Sequence, residues 1–264
     1  MTRRSVLLLA TASATLLLAG CASAAGSPSS GSTTATADPL TGTVTVLAAA
    51  SLTESFETLA ASFHTAHPGV TVTFDFGGSS ALATQITQGA PADVFASANQ
   101  STMKTVSDAK LTDGAPTLFA TNVLTLVVPP GNPAHITSLT DLTRPGVKSA
   151  LCDTTVPCGV AAQQLFTAEG LRVTPVTLEQ DVKAVLTKVE LDEVDAGLVY
   201  VTDAKSAEGK VDTVVVPAAA KVVNDYPIAL LKNATDKKAA AAFIAYVLSA
   251  PGQKVLHDAG FGHR

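Results

Sequence analysis

The sequence predicts an α/β protein whose sheets are flanked by helices. Three observations carry that expectation. Short β-branched runs recur along the chain, as in Thr43-Val44-Thr45-Val46-Leu47 and Val70 to Phe76. Stretches with apolar residues at helical spacing separate them. Gly, Pro, Asp and Ser punctuate the junctions. Strands alternating with helices build sheets covered on both faces, and 264 residues suffice for two modest domains with real cores.

The first twenty residues read as an export signal. Arg3 and Arg4 precede an apolar run from Val6 through Leu18, too short for a spanning helix. Residues 21–41 are rich in Ala, Ser, Thr and Gly and read as a flexible tether. The ordered pattern starts at residue 42. A strand over Thr43–Leu47 leads into a helix from Ser51 to about Ala66, with Leu52, Phe56, Leu59 and Phe63 on one face. Pro68-Gly69 stops it. Val70 to Phe76 is a second strand, and Gly77-Gly78 turns into a helix carrying Leu82 and Ile86. Asp93-Val94-Phe95 is a short buried strand, and Val123 to Val128 a longer one.

Further along, Lys148 to Cys152 reads as a strand, followed by a helix from about Cys158 to Glu169. Another helix follows Asp181, with Val182, Val185, Leu186 and Val189 apolar. Strands are expected at Ala196 to Val201, Val211 to Val216 and Ile228 to Leu231. Two helices close the chain, Asp236 to Leu248 and Pro251 to about Ala259, the last stopped by Gly260.

Composition excludes several function classes. There is no Trp, aromatics make up 5% of the chain, and no basic stripe is present, which argues against nucleic acid. The five histidines are scattered and form no metal-ligand cluster. Ser51-Leu52-Thr53-Glu54 lacks the lysine of the S-x-x-K nucleophile motif, and Ser79 is not in G-x-S-x-G, so the chain is not read as an enzyme. Asp93 and Asp195 are expected to be structural. Cys152 and Cys158, with five residues between them, are expected to form a disulfide in an exported protein, two free thiols being the alternative.

In α/β sheets ligands sit beyond the carboxyl ends of strands, so the strand-to-helix turns matter most. Ser51 with Glu54 reads as a capping box. Gly77-Gly78-Ser79-Ser80 and Pro157-Cys158-Gly159 open two more helices, and Asp181 caps the helix that begins at Val182. Helix starts leave free N–H groups and a partial positive charge. Several aimed at one point would cage an anion without Lys or Arg; ordinary caps are the alternative.

Leu18-Ala19-Gly20-Cys21 resembles the bacterial lipobox, which implies lipidation of Cys21; an ordinary secretory signal with a chance Cys is the alternative. Ala48-Ala49-Ala50-Ser51-Leu52-Thr53 resembles the opening motif of periplasmic molybdate-binding proteins. Phe76 to Leu82, Gln88 to Ala98, Gly197 to Ala204 and Tyr226-Pro227-Ile228 resemble later segments of that family, in its order. The resemblance covers roughly residues 42–262 and implies a two-domain periplasmic-binding-protein (type II) fold with a cleft between the domains.

It also implies a ligand set. Ser51 and Ser79 would each give a hydroxyl and an N–H, Cys158 and Val182 backbone N–H groups, and Tyr200 its phenol. All are donors, as a fully deprotonated molybdate or tungstate requires, and no cofactor is implied. Cys158 departs from the family pattern, where a small aliphatic residue is usual. Without residues 1–20 two arginines are lost and the formal charge falls from −5 to −7, so local dipoles rather than the overall field must attract an anion. The domain limits expected are 42–120 plus 203–264 for domain I and 121–202 for domain II. The partners implied are an ABC permease with its ATPase, and a membrane reached through lipid on Cys21; the protein would be an extracytoplasmic monomer. An extracellular hydrolase and an oxyanion sensor without transport are the readings of other classes.

Overall fold

The β-branched run that opens the ordered chain forms β1 (Gly42–Ala49), an interior strand one place from the edge of a sheet. The computed structural model describes residues 40–263. The export signal, Cys21 and most of the expected tether lie outside them; Leu40, at the tether's end, packs on the first apolar core.

β1 pairs in parallel with β2 (Val70–Gly77) and with β3 (Val94–Ala96). α1 (Thr53–Ala66) and α2 (Ser79–Thr87) run between them, and α3 (Gln100–Asp108) follows β3. The face read from the sequence packs as expected: Leu52, Phe56, Leu59 and Phe63 are fully buried. β4 (Thr117–Val128) is longer than its apolar half suggests. Its first half pairs with the late strand β9 (Val223–Leu230), which also closes on β3.

The second half of β4 has other partners. Leu124–Val127 pairs antiparallel with β7 (Ala196–Tyr200), and Leu126–Val128 with β8 (Asp212–Val214). β5 (Ser149–Cys152) lies parallel to β7 and to β6 (Thr177–Glu179). The path through the sheet is β2-β1-β3-β9-β4-β7-β5-β6, with β8 beside β4. α4 (Pro157–Ala168), α5 (Val182–Glu190) and the short α6 (Val201–Ser206) accompany the second group of strands. α7 (Lys237–Leu248) and α8 (Ala250–Ala259) return to the first, and Gly260 ends α8 in the left-handed conformation (φ 104°) that favours glycine.

Two main apolar cores result. Val44, Val46, Phe56, Phe63, Tyr226 and Phe243 belong to one; Leu126, Leu165, Val185, Leu186, Val189 and Leu198 to the other. Ala204, Ala207, Val211 and Ala219 pack with the second. No single described helix is long and apolar enough to cross a membrane.

One expected start is corrected. Ser51 does not cap α1. The chain leaves β1 through a 3-10 turn, Ala50–Leu52, so the helix begins later, its N-cap is Leu52, and no side chain caps it. Glu54 instead reaches the Lys183 ammonium at 2.6 Å.

Candidate functional site

The turns that end β1 and β2 form one wall of a small cavity. Ser51 is buried, with its Oγ 2.9 Å from the Tyr226 phenol oxygen. Ser79 opens α2, and its Oγ accepts from the Ala98 N–H at 3.0 Å. That leaves the Ser79 proton to be donated elsewhere.

Helix starts form the other wall. α4 begins at Pro157, which lacks an N–H at the position where none is needed, and Cys158 follows. Asp181 caps α5 as the sequence indicates, its Oδ1 accepting from the Ala184 N–H at 2.9 Å. Val182 is then the first helical residue. The first N–H groups of a helix have no partner within it, so Cys158 and Val182 carry such groups at the positive ends of two helix dipoles. Cys158 is disulfide-bonded to Cys152, the last residue of β5, with Cα atoms 5.7 Å apart. That bond ties the start of α4 to the sheet.

Tyr200, at the end of β7, is 1% exposed, and its phenol oxygen is buried without a hydrogen-bond partner among the described residues. Burial above all, then Tyr226 and Asp203, hold its pKa well above the usual phenol value. It stays protonated and able to donate. An unpaired buried polar atom calls for a reason, and this one belongs to a residue of the cavity wall.

Ser51, Ser79, Cys158, Val182 and Tyr200 all line this cavity, whose atom-free volume is about 220 Å³. Asp181 is its one charged lining residue, and that carboxylate is engaged with its own helix. A larger groove beside α4, about 980 Å³, gathers no such donor set. No group of His, Cys, Asp and Glu among the described residues could hold a metal ion.

The walls touch directly. Ser80 Oγ donates to the Thr155 carbonyl at 2.7 Å. A Cβ on Gly78 would collide with the Gln180 carbonyl oxygen and lie 3.3 Å from its carbon. Gly78 has φ −62° and ψ 125°, open to any residue, so what demands a glycine is the approach of the facing backbone and not the turn. Lys183 joins the walls as well. Its ammonium meets Glu54 of α1, Ser206 Oγ at 3.0 Å and Asp203 Oδ1 at 3.4 Å.

Asp203 is fully buried, and its Oδ2 accepts the Tyr200 N–H at 3.1 Å. Burial pushes its pKa up to about 6, against the opposing pull of Lys183. The ammonium sits at ion-pair range without making an aligned hydrogen bond to Oδ1 and is shared with Glu54, so desolvation outweighs it.

Acids and histidines away from the cavity have structural partners. Asp93 accepts from the N–H groups of Thr45 and Thr235, and Asp195 from that of Lys148. Each ties the segment before a strand into its sheet. His64 Nδ1 lies 2.9 Å from the Val70 carbonyl, and the His67 ring packs on Phe63. Tyr226, behind Ser51, was not singled out as a site residue; 175 residues separate the pair, and nothing local to either one signals the contact.

Residues 44–262 match the family described as bacterial extracellular solute-binding protein. The chain belongs to that family. Among solute-binding relatives, the molybdate-binding protein of Mycobacterium tuberculosis is 48% identical over 218 residues, which are 83% of this chain and 84% of that one. A Bacillus subtilis chain with the provisional name of an ABC transporter substrate-binding lipoprotein is 31% identical over 99% of both. The solved Azotobacter vinelandii periplasmic molybdate-binding protein superposes with a TM-score of 0.74 at 21% identity, covering 84% of this chain and 99% of its own. That likeness establishes the solute-binding fold.

Proposed function

We propose that this chain captures molybdate, or tungstate of the same charge and nearly the same size, and delivers it to an ABC permease and its ATPase. The observation that carries this is the donor set of the cavity. Ser79 accepts from the Ala98 N–H and keeps its proton free, Tyr200 holds an unpaired phenol proton, and two helix starts add N–H groups. No Lys or Arg lines the cavity. Such a set suits an anion that only accepts hydrogen bonds. The 48% identical relative that bears the name molybdate-binding supports the choice of cargo.

The ligands would be the Ser51, Ser79 and Tyr200 hydroxyls, with N–H groups from Ser51, Ser79, Cys158 and Val182. The lobes would be residues 42–120 with 223–264, and 121–222. The segment 203–222 is assigned to the second lobe because its apolar side chains pack there. β4 and β9 would serve as the hinge, closure completing the donor set.

Binding without catalysis is the favoured reading. Ser51 is paired with a phenol and Ser79 with a backbone N–H, so neither serine has the general base a nucleophile needs. Lipidation of Cys21 would anchor a monomeric, extracytoplasmic protein to the membrane. Detergent phase separation of the parent against Cys21→Ala tests the anchor, equal partitioning into the aqueous phase counting against it. Titration calorimetry with molybdate, tungstate, sulfate and phosphate tests the cargo. Molybdate and tungstate should bind tightly, sulfate more weakly because its shorter bonds under-reach the donors, and phosphate weakly because its proton meets hydroxyls and N–H groups placed to donate. Sulfate binding as tightly as molybdate would refute the assignment.

A further inference from the structure

We infer that Tyr226 determines specificity by fixing the direction of the Ser51 proton, so that the cavity rejects oxyanions that carry a proton of their own. The inference rests on the oxyanion-binding reading and extends it to a residue outside the cavity lining.

Tyr226 lies in β9 and is fully buried. Its ring is enclosed by Phe119, Tyr200 and Phe261, with centroids 6.2, 6.0 and 5.4 Å away. A buried phenol O–H outside any ligand's reach is costly unless it finds an acceptor. Among the described residues Ser51 Oγ, at 2.9 Å, is the one hydrogen-bond partner of the Tyr226 oxygen. Among the described residues the Tyr200 oxygen makes no geometrically formed hydrogen bond, so it does not take that proton. Nearby Asn122 points its amide N–H at Thr202 Oγ1 (2.8 Å), and its carbonyl oxygen takes the Val123 N–H (3.0 Å).

If Ser51 donated to Tyr226, the phenol proton would be buried and unpaired. If Tyr226 donates, both protons can be used: the phenol's on Ser51 Oγ and the serine's on an anion in the cavity. The second arrangement is the one that leaves no buried donor unsatisfied once an anion is bound. Ser51 is thereby held as a donor, as Ser79 is by the Ala98 N–H. At Ser51 a protonated oxyanion would then bring its own O–H against a proton, and so would lose the hydrogen bond that a fully deprotonated anion makes there. Without the Tyr226 hydroxyl, Ser51 is free to rotate and accept.

The test uses two anions of similar size and equal charge that differ by one proton: selenate, and arsenate at a pH where it carries one proton and two negative charges. Calorimetry on the parent should show selenate bound at least about tenfold more tightly than hydrogen arsenate, as one unmet buried hydrogen bond implies. Tyr226→Phe keeps the ring and should lower the selenate-to-arsenate ratio by about tenfold. In a Ser51→Ala background the same change should leave the ratio where Ser51→Ala put it, because Tyr226 acts through that oxygen. Equal parent affinities for the two anions overturn the inference even if Tyr226→Phe proves unstable. So does an unchanged ratio in Tyr226→Phe, or an equal further effect in the Ser51→Ala background. A parent that binds molybdate but fails these tests loses only this inference; one that binds no oxyanion loses the functional reading as well.

Discussion

The two walls of the cavity are built on different principles. The wall from β1 and β2 presents Ser51 and Ser79, whose hydroxyls are each held from behind by a neutral partner. The wall from α4 and α5 presents backbone N–H groups at Cys158 and Val182, with Tyr200 seated on the buried carboxylate of Asp203. The first wall depends on which side chain stands at each position. The second depends mostly on where helices start, so its side chains are free to vary while its loops are not.

The largest expected effect lies where the walls meet. Gly78→Ala places a methyl group against the Gln180 carbonyl. Overpacking against backbone costs about 3 kcal/mol at the upper end of the usual range, so molybdate affinity should fall by roughly 150-fold. The ligand-free protein should melt as the parent does or slightly higher, since φ and ψ suit alanine. An affinity within twofold of the parent would mean that closure does not bring these backbones together.

Asp203 tests the support behind the second wall. Its folded pKa of about 6 lies above its ordinary value of 3.8. The folded state therefore holds more protons between those values, and stability falls as pH rises through that window, by on the order of 3 kcal/mol. Asp203→Asn should remove this component of the slope. Urea unfolding at pH 4 and pH 7 reads it; parallel slopes for parent and variant would exclude Asp203 as its source.

The hydroxyls come next. Ser51→Ala, Ser79→Ala and Tyr200→Phe should each weaken molybdate binding by about 1.5–3 kcal/mol, roughly 10- to 150-fold. Val182→Ala should change affinity by no more than about threefold, because its side chain is not the donor. Val182→Ala matching the serine variants in affinity loss would erase the distinction between the walls. The last effect expected is on stability. Breaking the Cys152–Cys158 bond by Cys152→Ala should cost about 2 kcal/mol in the chain-entropy model for so short a loop. It should also loosen binding, because it frees the start of α4. Intact-mass analysis after alkylation of native, unreduced parent checks the bond first; two modified thiols would remove the premise.

Much of the fold was legible because strand and helix periods alternate clearly where side chains are buried. The elements not read are those with little apolar signal. α3 buries only Met103 and Val106 among its apolar residues, and β6 offers the single apolar residue Leu178, which is half exposed. The first half of β4 begins with exposed residues and takes its place from pairing with β9, which is distant in sequence. α6 follows β7 with no break, so Val201 looked like the end of a strand. The five cavity residues were legible as a set through the resemblance to molybdate-binding proteins; the strand-to-helix turns alone pointed to the helix starts, left ordinary caps open and did not include Tyr200. Ser51 was placed correctly in sequence but given the wrong local role, since a capping-box pattern does not reveal that a 3-10 turn precedes the helix. Tyr226 and Asp203 support the site from behind, through partners that the chain pattern does not announce.

The lining of the cavity has a further consequence in terms of separation chemistry. With Asp181 as its one charged residue, and no cation to offset a bound dianion, the protein would acquire the whole ionic charge of its cargo. Empty and loaded forms would then differ in electrophoretic mobility and in retention on an anion exchanger. A preparation of this already acidic chain could be sorted by occupancy with a salt gradient and no label.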